Sequence, residues 1–167
     1  MAAEIINRVA NSSLVTFDLA EYYPKGERKE LDISQWLEGG IVLREKAFRT
    51  ALEAYNFSSF DNTYVALYCS TEALLPAWAS LLVTVHLQSV AKKVVLGSLI
   101  DLEKAIFAEL LDQIDWKQYD NKPVIIKGCS DLNIPENAFV DLVQKLHPFA
   151  KRISYGEACS SVPLFKQ

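Results

Sequence analysis

The chain has 167 residues, half of them hydrophobic and 23% charged, with 17 basic and 21 acidic side chains for a net charge of −4. That composition excludes a disordered chain, and the mild negative charge argues against the basic footprint of a nucleic-acid-binding surface. The length fits one domain that buries enough surface to fold without a disulfide or a structural metal, and three cysteines are an odd number for a closed disulfide framework.

The N-terminal stretch MAAEIINRVANSSLVTFDL lacks the basic-then-apolar order of a secretory signal. The most apolar run, Ala73 to Leu87, is interrupted by Pro76, Ser80, Thr84 and His86. It falls short of the roughly 20 residues of a membrane span, so a buried helix is expected. The expected setting is cytoplasmic, where thiols stay reduced and serve metals or catalysis more than structural disulfides.

Hydrophobic periodicity then predicts the elements in order. Leu14–Leu19 reads as a strand at a sheet edge. Tyr22–Arg28 reads as a turn or loop broken by Pro24 and Gly26, with a lid or partner contact as its functional alternative. A short helical piece begins at Ile33–Trp36 and ends at Gly39-Gly40. Arg44–Tyr55 carries Ala47, Phe48, Ala51, Leu52 and Tyr55 on one helical stripe. Tyr64–Tyr68 is a predicted strand, Glu72–Val90 a helix, Lys93–Leu96 a strand and Leu99–Ile114 a helix. Pro123–Lys127 (strand), Pro135–His147 (helix) and Arg152–Tyr155 (strand) complete the alternation.

Alternating strands and helices predict an α/β fold. The expected form is three-layered, with a mainly parallel sheet of about four core strands. The strands YVALY, KVVL and PVIIK are close to continuously apolar, so helices should cover both faces.

A displacement of 59 residues aligns Leu43–Gly97 with Leu102–Gly156 without a gap. Phe48 falls on Phe107, Leu52 on Leu111, Asp61-Asn62 on Asp120-Asn121, Pro76 on Pro135 and Gly97 on Gly156. Shared apolar phasing does not explain paired Asp-Asn turns, prolines and glycines. The pattern therefore predicts an internal duplication of an α-β-α-β unit with a pseudo-twofold relation. Within a single domain, 1–42 would be an N-terminal extension, 43–97 and 102–156 the half-repeats, and 157–167 a cysteine-containing tail.

Each cysteine follows a predicted strand and precedes a serine: Cys69-Ser70, Cys129-Ser130 and Cys159-Ser160. Ligands of parallel sheets bind at the carboxyl ends of strands, so the three thiols are expected on one edge of one sheet. Two of them also precede predicted helices, whose N-termini favour a thiolate. Ser70 and Ser130 could cap those helices; with Ser160, Gly128 and Glu157 they could also support a thiolate site. Converging, Cys69, Cys129 and Cys159 could hold zinc or an iron–sulfur cluster, with Glu157, Asp131 or Glu72 as a fourth donor. No C-x-x-C occurs, so folding alone would assemble such a site. In the 59-residue register Ser70, not Cys69, matches Cys129.

Three other readings of the thiols stay open. They could include one reactive cysteine of an enzyme or redox protein. Helix N-termini could instead bind a small anion. Or the cysteines could be inert core residues of an interaction scaffold. His86 and His147 lie late in their helices, away from the strand ends, and no Ser-His-Asp pattern supports a hydrolase. No phosphate-binding glycine loop or dinucleotide fingerprint occurs, so no nucleotide cofactor is expected. Trp36, Trp78 and Trp116 read as core or core-edge residues, and Lys92-Lys93 and Lys151-Arg152 as solvated strand entries.

The segments LVTFDLAEYYPKGER (14–28), PVIIKGCSDLNIPENA (123–138) and YGEACSSVPLFK (155–166) resemble an uncharacterised Bacteroidetes family known as a domain of unknown function. The resemblance runs over nearly the whole chain. Genes of that family often stand beside the sulfur-mobilisation system of iron–sulfur cluster assembly. The resemblance therefore implies an accessory role in cluster or metal handling, with assembly proteins as partners. It carries over Cys129 and Cys159 with Gly128, Ser130, Glu157 and Ser160, while Cys69 matches the family's Cys-Ser after its first core strand. No reaction mechanism comes with it.

Overall fold

A computed structural model describes residues 14–128, 132–157 and 159–167. The described chain divides into two compact units. Pro24–Ile106 forms one, and the residues up to Tyr23 and from Phe107 form the other. The strands are β1 (Val15–Phe17), β2 (Arg28–Asp32), β3 (Tyr64–Tyr68), β4 (Lys93–Leu96), β5 (Pro123–Ile126), β6 (Arg152–Glu157) and β7 (Ser160–Lys166). The α-helices are α1 (Glu45–Ala54), α2 (Ala77–Leu87), α3 (Leu99–Asp112) and α4 (Glu136–Leu146). Among the described residues no helix is long and apolar enough to cross a membrane.

The fold is α/β with two sheets. Strands β2-β3-β4 make a parallel sheet of three, and β1-β5-β6-β7 make a sheet of four in which only β6 and β7 run antiparallel. This corrects the expectation of a single sheet edge for all three thiols: β3, which leads to Cys69, is in the first sheet, and β5 and β6 are in the second. Periodicity finds strands, but it says nothing about which strands pair. Strand β1 takes the edge position that its sequence predicted.

The three-stranded sheet alternates its buried side chains as a pleat requires. Val65 and Leu67 face Phe48 and Leu52 of α1 and Ala79, Val83 and Leu87 of α2. Ala66 packs in a separate cluster with Leu102 and Ile106 of α3. In the four-stranded sheet, Val124, Ile126 and Ile153 pack with Phe107 and Leu111 from the end of α3 and with Ala138, Leu142 and Leu146 of α4. Phe48 and Phe107 occupy matching places in the two cores and are both fully buried.

The correspondence at 59 residues reaches individual atoms. Helices α2 and α4 each start after a proline, Pro76 and Pro135, that stands in the capping position. Asn62 and Asn121 both adopt left-handed backbone, with φ of 57° and 54°. Their N–H groups donate to the carbonyls of Val90 and Phe149, at 2.8 and 2.9 Å. A second displacement, of 14 residues, relates β1 to β2. Val15 pairs with Val124 as Lys29 pairs with Val65. Asp18 and Asp32 each cap a short 3-10 turn, at Leu19–Tyr22 and Ile33–Trp36.

Three local expectations change. Strand β2 begins at Arg28, inside the predicted loop, because parallel pairing to β3 overrides its charged sequence. Strand β7 forms from the predicted tail by folding back on β6. Helix α2 starts at Ala77 rather than Glu72, since Pro76 cannot continue a helix in the N-terminal direction.

Candidate functional site

In each sheet an aspartate stands at the carboxyl end of a parallel edge strand, and the sequence reading passed over both. In the three-stranded sheet it is Asp32, the last residue of β2. Its Oδ1 accepts from the backbone N–H of Ser34 at 2.9 Å and of Ser70 at 3.0 Å. Its Oδ2 accepts from the hydroxyls of Ser34 at 2.7 Å and Ser70 at 2.5 Å. Burial pushes this carboxyl up, but the hydrogen bonds, led by those of Ser70 and Ser34, outweigh it and hold the pKa down at about 2. Ser70 is therefore a strap between β2 and the loop after β3. It is not the cap of α2, whose N-terminal position belongs to Pro76.

Cys69 lies half-buried beside this strap. Its sulfur is 3.3 Å from the hydroxyl of Thr71, which donates to the carbonyl of Gly40 at 2.6 Å. Neighbouring Tyr68 has its phenol pushed up, first by burial and then by the charges of Asp32 and Glu30. Glu72 is exposed on the same loop.

In the four-stranded sheet the corresponding aspartate is Asp18, after β1. It accepts from the N–H of Ala20 at 2.9 Å and from Nζ of Lys127 at 2.7 Å. Burial raises its pKa, but Lys127 and the Ala20 N–H prevail and the net shift is downward. Lys127 is shifted upward, mainly by Asp18 and further by Glu157 and Glu21, so it stays an ammonium. Next in the chain, Gly128 lies close under the side chain of Tyr155, which a larger residue would have to displace. A Cβ there would stand 2.5 Å from the ring of Tyr155. Gly156 has φ of +121°, and a Cβ would meet the backbone carbonyl of Ser160 at 2.7 Å, so the β6–β7 hairpin needs glycine at this point. That hairpin presents Glu157, Cys159 and Ser160, all exposed, and Glu157 pairs with Ser160 across it.

Cys129, Ser130 and Asp131 lie outside the described residues. Cys69 belongs to one unit and Cys159 to the other. Among the described residues no three His, Cys, Asp or Glu side chains form a metal-binding group. His86 stacks on Phe57 and His147 packs against Phe165, each at the C-terminal end of its helix as its place in the sequence requires. Asp18 and Asp32 had a signal available. Phe17-Asp18-Leu19 and Leu31-Asp32-Ile33 share an apolar-Asp-apolar pattern 14 residues apart.

The family match covers residues 3–167. The chain belongs to the family described as protein of unknown function DUF2480. No curated protein and no solved structure matches this DUF2480 chain. Its strand ends carry a clamped carboxylate beside a half-buried thiol in one unit, and a Lys–Asp pair with an exposed thiol and carboxylate in the other.

Proposed function

We propose that this protein is a cytosolic accessory protein that binds a thiophilic metal or an iron–sulfur cluster and assists its handling. The thiols proposed to carry this are Cys129 and Cys159, with Glu157 as an oxygen donor. The observation that carries the reading is the parallel pairing of β5 with β6, Ile126 opposite Tyr155. It sends the chain toward Gly128 and toward the Cys159 hairpin from adjacent strand ends on one sheet. Thiolates with a carboxylate suit zinc or iron, and Lys127, two positions before Cys129 in the sequence, would favour anionic sulfur. The resemblance to Bacteroidetes proteins encoded near sulfur-mobilisation genes supports the iron–sulfur context and assembly proteins as partners. Cys69 is proposed as the third thiolate of the sequence reading, and the test separates two donors from three. We also propose that the half-repeats 43–97 and 102–156 descend from a duplication, on the support of the 59-residue correspondence, with the 14-residue correspondence of β1 and β2 beside it.

The test is anaerobic purification and reconstitution with ferrous iron plus sulfide, or with zinc, followed by metal analysis and absorption spectroscopy. About one metal or cluster equivalent per chain is expected. Cys129→Ala and Cys159→Ala should each abolish binding, and Cys69→Ala reports whether the third thiol takes part. Absence of bound metal above background, with all three thiols alkylated at the rate of an ordinary free cysteine, would overturn the reading.

A further inference from the structure

We infer that a groove formed by the loops after β2 and β3 docks a segment of a partner protein that presents large apolar side chains beside a basic residue. The groove has a volume of about 570 Å³, and its walls include Ile41, Val42, Leu74 and Trp78, with Glu45 and Glu72 among them. Leu74 is 98% exposed, Ile41 63% and Val42 46%. A large apolar side chain left in water forgoes roughly 1.5–3 kcal/mol of burial. Three on two neighbouring loops make an apolar patch rather than a scatter.

The loops do not collapse to cover these side chains because hydrogen bonds hold them open. Glu38 and Val42 exchange both backbone bonds, at 2.9 and 3.1 Å, across the tight turn that displays Ile41. The Thr71 hydroxyl ties the Gly40 carbonyl of that turn to the loop that carries Leu74. Trp78 is fixed by its edge-on contact with Phe48 and by Arg49 over its ring. A surface held in this way loses little freedom on binding, which favours affinity.

The charges select the occupant. Among the described residues that line the groove there is no lysine or arginine, and the two ionisable groups, Glu45 and Glu72, are carboxylates. Glu45 is engaged with Arg49 at 3.0 Å in an exposed pair that is weak and exchangeable. Among the described residues Glu72 makes no ion pair. Patch to patch, a second copy of this chain would bring carboxylate against carboxylate, and Arg49, the cation that lies over Trp78, is already paired with Glu45. A partner segment with leucine-like side chains next to lysine or arginine meets both the apolar walls and Glu72. This surface shares no residue with the donors proposed above, Cys69, Cys129, Cys159 and Glu157. Glu72, a candidate fourth donor by sequence, is the one overlap, and Leu74→Asp tests the surface without touching that residue.

The test uses the full chain and fluorescence anisotropy with two labelled ten-residue peptides, one of leucine and lysine, the other of leucine and glutamate. The lysine peptide should bind and the glutamate peptide should not. Leu74→Asp, at a side chain that contacts only solvent, should weaken binding by about tenfold or more. Glu72→Lys should weaken the lysine peptide and strengthen the glutamate peptide. Cys129→Ala, which tests the thiol reading, should leave peptide binding unchanged. The inference is overturned if neither peptide binds or if Leu74→Asp leaves binding intact. It is equally overturned if sedimentation shows a dimer that Leu74→Asp dissociates, since the occupant is then a second copy.

Discussion

The backbone N–H of Ser70 donates to the carboxylate of Asp32 at 3.0 Å, across 38 residues of sequence. With the Ser70 hydroxyl on the other oxygen, this contact locks the carboxyl end of β2 to the loop that follows β3. It also sets the position of Cys69, one residue before Ser70.

That relationship carries a pH dependence. The folded Asp32 carboxyl has its pKa lowered from 3.8 to about 2. A depressed carboxyl stabilises the fold above its unfolded pKa, and the contribution fades as pH falls from about 4 through about 2. Asp32→Ala should cost about 2 kcal/mol at neutral pH, combining a lost turn cap with hydrogen bonds to a charged group. The difference from wild type, measured by urea unfolding, should be constant from neutral pH down to about pH 5 and shrink below pH 4. A difference that persists unchanged at pH 2 would show that the charge is not what stabilises the strap.

The second prediction concerns Arg28 and Glu103, whose Nε–Oε1 contact is 2.6 Å and whose side chains are only 13% and 9% exposed. Arg28 also donates to the carbonyls of Pro24 and Gly26 at 2.8 and 2.6 Å, and its guanidinium lies 4.8 Å from the centre of the Tyr64 ring. Removing one partner of a buried pair leaves the other charge without compensation. Glu103→Ala should destabilise by about 3 kcal/mol. Replacing both with apolar residues of similar size should recover part of the loss. Thermal and denaturant unfolding of the three variants checks this, and an additive double mutant would contradict it.

The third prediction uses the two left-handed asparagines. Left-handed backbone costs a residue with an ordinary Cβ roughly 1 kcal/mol, and asparagine tolerates it better. Asn62→Ala and Asn121→Ala should each lower stability by about 1 kcal/mol. The glycine variants should be neutral or slightly stabilising. Matching losses at the two positions would reflect their matching hydrogen bonds to Val90 and Phe149. A large difference between them would show that the two turns serve their units differently.

Much of the local structure was legible without coordinates. The stripe through Phe48 and Leu52 predicts α1, whose buried residues are those two. Pro76 and Pro135 mark the starts of α2 and α4. The paired Asp-Asn dipeptides mark the turns into β3 and β5. These signals are short-ranged, a period or a backbone restriction, and a sequence displays them directly. Strand β2 escaped because Arg-Lys-Glu-Leu-Asp carries no alternating apolar face; its place comes from pairing with β3. Strand β7 escaped because Pro163 interrupts it, which an edge strand tolerates.

The sequence by itself determined that this is an α/β chain with a recurring strand–helix order, and that each cysteine follows a strand. Tertiary structure alone decided that those strands divide between two sheets, so that Cys69 and Cys159 stand in separate units. It also showed that the strand ends are organised by Asp32 with Ser70 and by Asp18 with Lys127. The reason is one of range. Helix periods and proline or asparagine constraints act within a few residues. The Ser70–Asp32 and Lys127–Asp18 contacts join residues 38 and 109 positions apart, and only strand pairing brings them together.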